Sequence, residues 1–431
     1  MKTFFRFTMI ALLMGFAQVL FAQDSRNLQF FRPVGQEGLN VFETSKADTA
    51  EYDGVKVRVG GDFALQFQGL SQSNNAEVGS GYELVELGNN FNLPTANLNL
   101  DVQMYDGVRL HLRTYLSSRH HAEAWVKGGH LQIDKLDFIS EGFMEGLMEY
   151  TTITVGLDEF NYGDAHFRRS DNARAIYNPF VGNYIMDAFS TEAFGEVTVQ
   201  NNGLLAVIGV TNGKLNQSAT AGPNNKPSFY GKLGFDKQFS DDFRARLTGS
   251  WYINTGTGTG GYLYGGDRAG ARYYNVMHSV GNDDLGVGAK EGFADPQYNP
   301  RFSKIGAFQI NPFIKAGGFE FFGIYEVANG LNEGADDGSL TQIAAEALYR
   351  FGANERYYIG GRFNSVKGAK TADATEDLDT NRINFGGGWF LTDNIMTKVE
   401  YVNQQYNGDA WGGQYAGAGF KGLMLEAAIS F

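Results

Sequence analysis

Apolar and polar side chains alternate with a period of two over most of this 431-residue chain, and no other feature narrows its fold as far. That period puts one set of side chains on each face of a β-strand and does not fit the 3.6-residue period of a helix. In the C-terminal stretch GLMLEAAISF, Leu423, Leu425, Ala427, Ile429 and Phe431 share one face. Gly422, Glu426, Ala428 and Ser430 fall on the other, and Met424 is the one apolar residue out of phase. In VKVRVGGDFALQFQ, Val55, Val57, Val59, Gly61, Phe63, Leu65 and Phe67 oppose Lys56, Arg58, Asp62, Gln66 and Gln68.

The pattern recurs in hairpins. One turns at Asp106-Gly107, a dipeptide suited to the positive φ of a tight turn, and others turn near Ser240, Ala316, Gly352 and Thr392. In all there are about sixteen segments, mostly of about 10 to 14 residues, the length a tilted strand needs to cross a bilayer and an even number as single-chain barrels use. Short turns near 106, 202, 241, 317, 353 and 393 interleave with longer loops around 70–94, 158–187, 212–226, 256–300, 329–338, 368–379 and 408–418. A longer turn near 140–149 and a tight loop near 118 break the rule. The expected fold is all-β, a transmembrane antiparallel up-and-down β-barrel of about 16 strands over residues 54–431, since only a closed sheet satisfies every backbone group in lipid. Trp251, Tyr349, Phe351, Tyr357, Trp389 and Tyr401 are expected near strand ends, where amphipathic rings suit the membrane interfaces.

Mean hydropathy is low, at -0.28, which a barrel with one polar face permits. Residues 1–22 have the layout of a secretory signal peptide: Lys2 and Arg6, an apolar run from Met9 to Phe21, then Ala22. Residues 23–53 follow as a segment expected to lie in the periplasm or in the lumen. There is no Cys, which excludes a disulfide scaffold. A formal charge of -13 argues against nucleic acid as a partner.

The mature chain resembles the sixteen-stranded outer-membrane porins, and is most similar to the phosphate-selective porin O and P type. The likeness rests on the architecture and on the stretch GLDEFNYGDAHFRRSDNARAIYNPFVGNYIMDAF. It implies a passive channel of the Gram-negative outer membrane, a homotrimer without cofactors. The apolar final strand ending in Phe431, with Ile429, Leu425 and Leu423, resembles the strand that barrel-assembly machinery recognises.

Selectivity turns on the lumenal charge. Polar faces carry Lys56, Arg58, Arg109, Arg113, Lys232, Arg244, Arg246, Arg350, Arg356, Arg362, Arg382 and Lys398. They also carry Asp62, Asp101, Asp236, Glu320, Glu326, Glu346 and Glu400. The wall leans basic, and rings of Arg and Lys in a narrow passage favour anions such as phosphates and carboxylates. Cross-bracing of these bases by carboxylates is the competing expectation. The loop from Asp158 to Asp187 is the expected constriction, with Arg168, Arg169 and Arg174 beside Asp158, Glu159, Asp164 and Asp171. Its aromatics Phe160, Phe167, Phe180 and Tyr184 suit packing against the inner wall.

Enzyme chemistry has little foothold. Of six histidines, only His120 and His121 are adjacent, and neighbours on a strand point to opposite faces, so they form no natural chelate. No nucleophile and His pair emerges, and the glycine-rich run at Gly256 lacks the strand-to-helix context of a phosphate cradle. Two other classes stay open: a transporter of hydrophobic compounds with a lateral opening, and a structural or adhesive barrel with a blocked lumen.

Overall fold

The computed structural model describes residues 28–47, 50–116, 125–168, 174–188, 190–214, 224–256, 262–265, 270–282, 296–332, 336–371 and 374–431. The expected signal peptide lies outside them. The strands are β1 (Lys56–Ser73), β2 (Asn90–Tyr105), β3 (Val108–Leu116), β4 (Trp125–Ile133), β5 (Thr151–Glu159), β6 (Thr191–Asn201), β7 (Leu204–Thr211) and β8 (Ser228–Ser240). They continue with β9 (Phe243–Asn254), β10 (Phe302–Ala316), β11 (Phe319–Asn332), β12 (Asp336–Phe351), β13 (Tyr357–Ala369), β14 (Leu378–Thr392), β15 (Ile395–Tyr406) and β16 (Gly419–Ser430). Each pairs antiparallel with its sequence neighbours, and β1 pairs with β16, so the sheet is a closed barrel with no free edge.

Alternation becomes geometry directly. Along β14, Ile383, Phe385, Trp389 and Leu391 are exposed on the outside, while Arg382 and Asn384 are buried inside. Val57, Leu204, Ile208, Leu233, Leu247, Ile343, Ile359 and Leu425 extend this exposed apolar surface around the ring. Water would not tolerate so continuous a patch on a monomer, so the belt is a lipid-facing surface. No helix among the described residues is long and apolar enough to cross a membrane.

Short turns gather at one end. At Gly107, φ is +68° and a Cβ would come within 2.6 Å of Lys135, so the tight β2–β3 turn requires glycine there. Outside, near this turn end, Tyr349, Phe351, Tyr357 and Trp389 stack in series at 6.4, 5.7 and 5.7 Å between centroids, an aromatic girdle. Tyr401 departs from the expectation: it pairs with Leu423 and Phe385 midway along its strand. A second correction concerns the loop expected at 329–338. Strands β11 and β12 run on to Asn332 and from Asp336, because both keep their alternation and their register through that stretch.

Candidate functional site: the lumen

Three segments enter the barrel from outside the wall. The first is residues 28–47, upstream of β1. Gln36 N–H donates to the Asp393 carbonyl at 2.6 Å, Asn40 Nδ2 to Glu320 at 2.7 Å, and Lys46 Nζ to Asp134 at 3.1 Å. The second is the β5–β6 loop, whose Phe160, Phe180 and Tyr184 are buried. The third belongs to the β9–β10 loop, where Tyr264, Tyr273, Val276 and Met277 are inaccessible to solvent. Met424, the residue out of phase in the final strand, points inward and packs with Tyr273, Val276 and Met277.

Charge holds these segments down. Asp164, from the β5–β6 loop, accepts from Lys232 at 2.8 Å, from Arg246 at 2.8 and 2.9 Å, and from Thr248 at 2.7 Å. Burial opposes its ionisation, but Arg246 and Lys232 outweigh that and hold its carboxyl well below the usual range. Glu43, from the N-terminal segment, joins this hub through Arg246 at 2.7 Å. At a second hub Arg168 bridges Glu320 at 2.7 Å and Glu346 at 2.5 Å and also donates to Asn40. Arg350 and Arg362 back up the same two carboxylates, at 2.9 and 2.8 Å. At a third, Glu426 binds Lys398 at 2.6 Å and Arg272. Arg382 donates to Gln404 at 2.7 Å and to the Asn183 carbonyl.

Two inward carboxylates bind loop donors instead of cations. Glu326 accepts from Tyr162 at 3.0 Å and Tyr264 at 2.8 Å. Glu400 accepts Val181 N–H at 2.7 Å, Gly182 N–H at 3.2 Å and Tyr273 O–H at 2.7 Å.

The expectation of free basic rings therefore needs correcting over β8 to β16. Lys232, Arg244, Arg246, Arg350, Arg362, Arg382 and Lys398 are engaged in bracing, since a buried cation needs a partner. Arg356 lies in the turn before β13 and pairs with Asp393 at 2.9 Å, so it does not line the lumen. Lys56 sits near the turn end and pairs with Asp53 at 2.7 Å. Of the supposed constriction residues, Asp158 and Glu159 belong to β5 itself. Arg168 and Asp164 are bracing groups, and Arg169 and Asp171 lie outside the described residues, as do His120 and His121.

Open space survives beside β1 to β6, as a cavity of about 220 Å³. Arg58 and His111 meet Asp101 there, each at 2.6 Å, and His130 meets Asp158 at 2.9 Å. Arg113 lies 3.7 Å from Glu159, and Arg109 lies 3.5 Å from Asp134. Two further cations face this cavity. Arg32 stacks on Tyr177, 3.9 Å from its ring centre, and donates to the carbonyls of Gly38 and Phe167. Burial pushes its pKa down to about 9, so it is still cationic at neutral pH. Arg174, unlike Arg168, lines this cavity and makes no ion pair with a described residue. On the same walls Asp62 is bound by Asn99 at 2.7 Å, and Glu196 by Tyr230 at 2.8 Å. No group of His, Asp or Glu among the described residues could hold a metal ion.

The structure also contains two lumenal elements whose placement the sequence pattern left undecided or misjudged. The N-terminal segment has no strand pattern to orient it. The β9–β10 loop carried the same signal as the β5–β6 loop, a run of aromatics in Tyr262, Tyr264, Tyr273 and Tyr274.

Acid should loosen the first of these. Burial works against ionised Glu43, but Arg246 and Lys232 hold its carboxyl at about 2 rather than 4.5. A depressed carboxyl lends stability that is complete above its unfolded pKa and is lost as the pH falls through the folded one. Pepsin digestion should therefore spare residues 28–47 near pH 4.5 and cut within them, at Phe30, Phe31 or Phe42, as the pH approaches 2. Equal cutting throughout would show that Glu43 does not anchor the segment.

No family model matches the sequence, and no curated protein does. Solved structures do match. An anion-selective porin from Comamonas acidovorans is similar with a TM-score of 0.52 at 11% identity, over 88% of this chain and 100% of that one. The outer membrane channel DcaP of Acinetobacter baumannii gives 0.51 at 11% over 88% and 99%, and the trimer form of OmpT, an outer membrane protein of Vibrio cholerae, gives 0.51 at 10% over 88% and 100%. The chain thus has the fold of the outer-membrane porin barrels.

Proposed function

We propose that this protein is a channel of the Gram-negative outer membrane that admits small hydrophilic solutes by passive diffusion, with a preference for anions bearing phosphate or carboxylate. One observation carries the reading: the lumenal cavity beside β1 to β6 is faced by Arg32 and Arg174, which pair with no carboxylate among the described residues, whereas Lys232, Arg246, Arg350, Arg362 and Lys398 are neutralised by acids. Asp62 and Glu196, held by neutral donors, are the opposing charges on the same walls. In a narrow, low-dielectric passage such uncompensated charge is focused and attracts counter-ions. The outer belt contacts lipid, the strand ending in Phe431 is the handle for barrel-assembly machinery, and a homotrimer is the assembly, as the trimer form of the Vibrio cholerae protein suggests by analogy.

The test is the reversal potential of the purified protein in a planar bilayer under a KCl gradient. An anion-directed potential with ohmic openings is the expected result, and Arg174→Ala should move it toward cations. A cation-directed potential in the parent protein would refute the charge argument. The packed inward loops favour a second reading, a structural or adhesive barrel with a blocked lumen. Persistent absence of current from well-folded protein would decide for it.

A further inference from the structure

Residues 28–47 have no part in closing the sheet, yet they run through the barrel's interior. Their attachments trace a chord across it, from Asp393 in the β14–β15 turn, past Glu320 on β11 and Arg246 on β9, to Asp134 after β4. A tail merely parked near the mouth would not need hydrogen bonds and ion pairs, most of them at least partly buried, on four separate parts of the wall. Each of these is costly to break once water is excluded.

The other side of this strap faces the open cavity. Phe31 lies under two guanidinium groups of the wall, with Arg58 5.3 Å and Arg109 5.0 Å from its ring centre. Next to it Arg32 is fixed by three hydrogen bonds to backbone carbonyls, from Nε at 3.0 Å and Nη2 at 2.6 Å to Gly38 and from Nη1 at 2.8 Å to Phe167. The guanidinium is thus oriented by neutral acceptors, which leave its charge uncancelled. Pro33 and Val34 complete the face.

We propose that the N-terminal strap is the selectivity element at the turn-end mouth of the channel, with Arg32 as its specificity-determining residue for small oxyanions. This rests on the channel reading above. The passage is bounded on one side by β1 to β6 and on the other by a segment upstream of the barrel. An anion entering there meets Arg32, held by backbone carbonyls, against a wall where Arg58, Arg109 and Arg113 are matched by acids and where Asp62 and Glu196, bound by neutral donors, repel it, so the charge of Arg32 decides whether it passes.

The experiment compares single channels of the parent protein, a variant lacking residues 28–47, Arg32→Gln and Val34→Cys, all under a KCl gradient. Deletion should raise unitary conductance by about two-fold or more and move the reversal potential toward zero, and Arg32→Gln should shift the potential toward cations. The chain is otherwise free of Cys, so a bulky anionic thiol reagent should reduce the current of Val34→Cys alone. If the deletion variant does not fold, the two point variants still decide. A conducting parent with unchanged conductance after deletion, unchanged potential in Arg32→Gln or no effect of the thiol reagent on Val34→Cys overturns the proposal and leaves the channel reading intact. Current from the deletion variant but none from the parent makes the strap a plug and overturns its selectivity role. Silence from every folded variant overturns the channel reading itself.

Discussion

Replacing Glu400 by alanine is expected to widen the lumen, raising unitary conductance by about two-fold or more. The carboxylate holds two inward loops at once, through the N–H groups of Val181 and Gly182 and the hydroxyl of Tyr273. Val181 and Tyr273 are inaccessible to solvent, so alanine would leave three buried donors without an acceptor. Each such donor costs about 1–3 kcal/mol, enough together to loosen both loops where they meet Glu400, although Arg362, Arg382 and Lys398 still hold the first and Arg272 the second. Glu400→Gln keeps one acceptor oxygen and should fall between parent and alanine. Native conductance in Glu400→Ala, with unchanged resistance of both loops to protease, would show that apolar packing alone fixes them.

The largest loss of stability is expected for Asp164→Ala. This one side chain is the acceptor for Lys232, Arg246 and Thr248, and Lys232 and Thr248 are among the most deeply buried polar residues of the barrel. Removing one partner of a buried pair typically costs about 3–5 kcal/mol, since the charge left behind has lost its compensation. Glu43 and Asp236 still approach Arg246, so that cation keeps close acids, whereas Lys232 keeps Glu43 at 3.4 Å as its one acid among the described residues, beside the neutral acceptors Asn161 and the Gly163 carbonyl. Adding Lys232→Met to Asp164→Ala should therefore recover part of the loss. Urea midpoints of the folded band on unheated gels would measure both effects, and a shift of less than about 1 kcal/mol for Asp164→Ala would exclude its bracing role.

Strand positions and the inside-outside assignment were legible because they depend on neighbours two residues apart, as along β14 and β16. Turn chemistry at Asp106-Gly107 is local in the same way. Selectivity is not. Arg168 looks like a pore residue until Glu346, 178 positions away, is found at 2.5 Å, and nothing in the local pattern announces that partner. Met424 was a legible warning of the opposite kind. An apolar residue on the polar face of a final strand has to be covered, and what covers it is a loop that a strand pattern cannot place. Tyr401 shows the limit of the girdle argument, since an outward aromatic ring also suits the middle of an apolar belt.

The seam between the first and last strands has a consequence for assembly. Twelve registered pairs, Asp62 with Ser430 through Ser73 with Gly419, join the two ends of the chain. Phe431 adds a backbone exchange with Gly61, at 2.9 and 3.0 Å, and stacks on Phe63 at 6.0 Å. Bringing chain ends together over such a contour costs roughly 5 kcal/mol of entropy, and these contacts repay none of it until the last residues arrive. Until then β1 and β16 are two bare edges, each able to pair with a foreign strand. The residues that precede β1 are drawn into the interior of a ring not yet shut, so the time between export and closure is when the strap must find its seat. A chain shortened by its final strand would stay an open, sticky sheet with its filling exposed, and would be selected against as an aggregate before it could be tested as a pore.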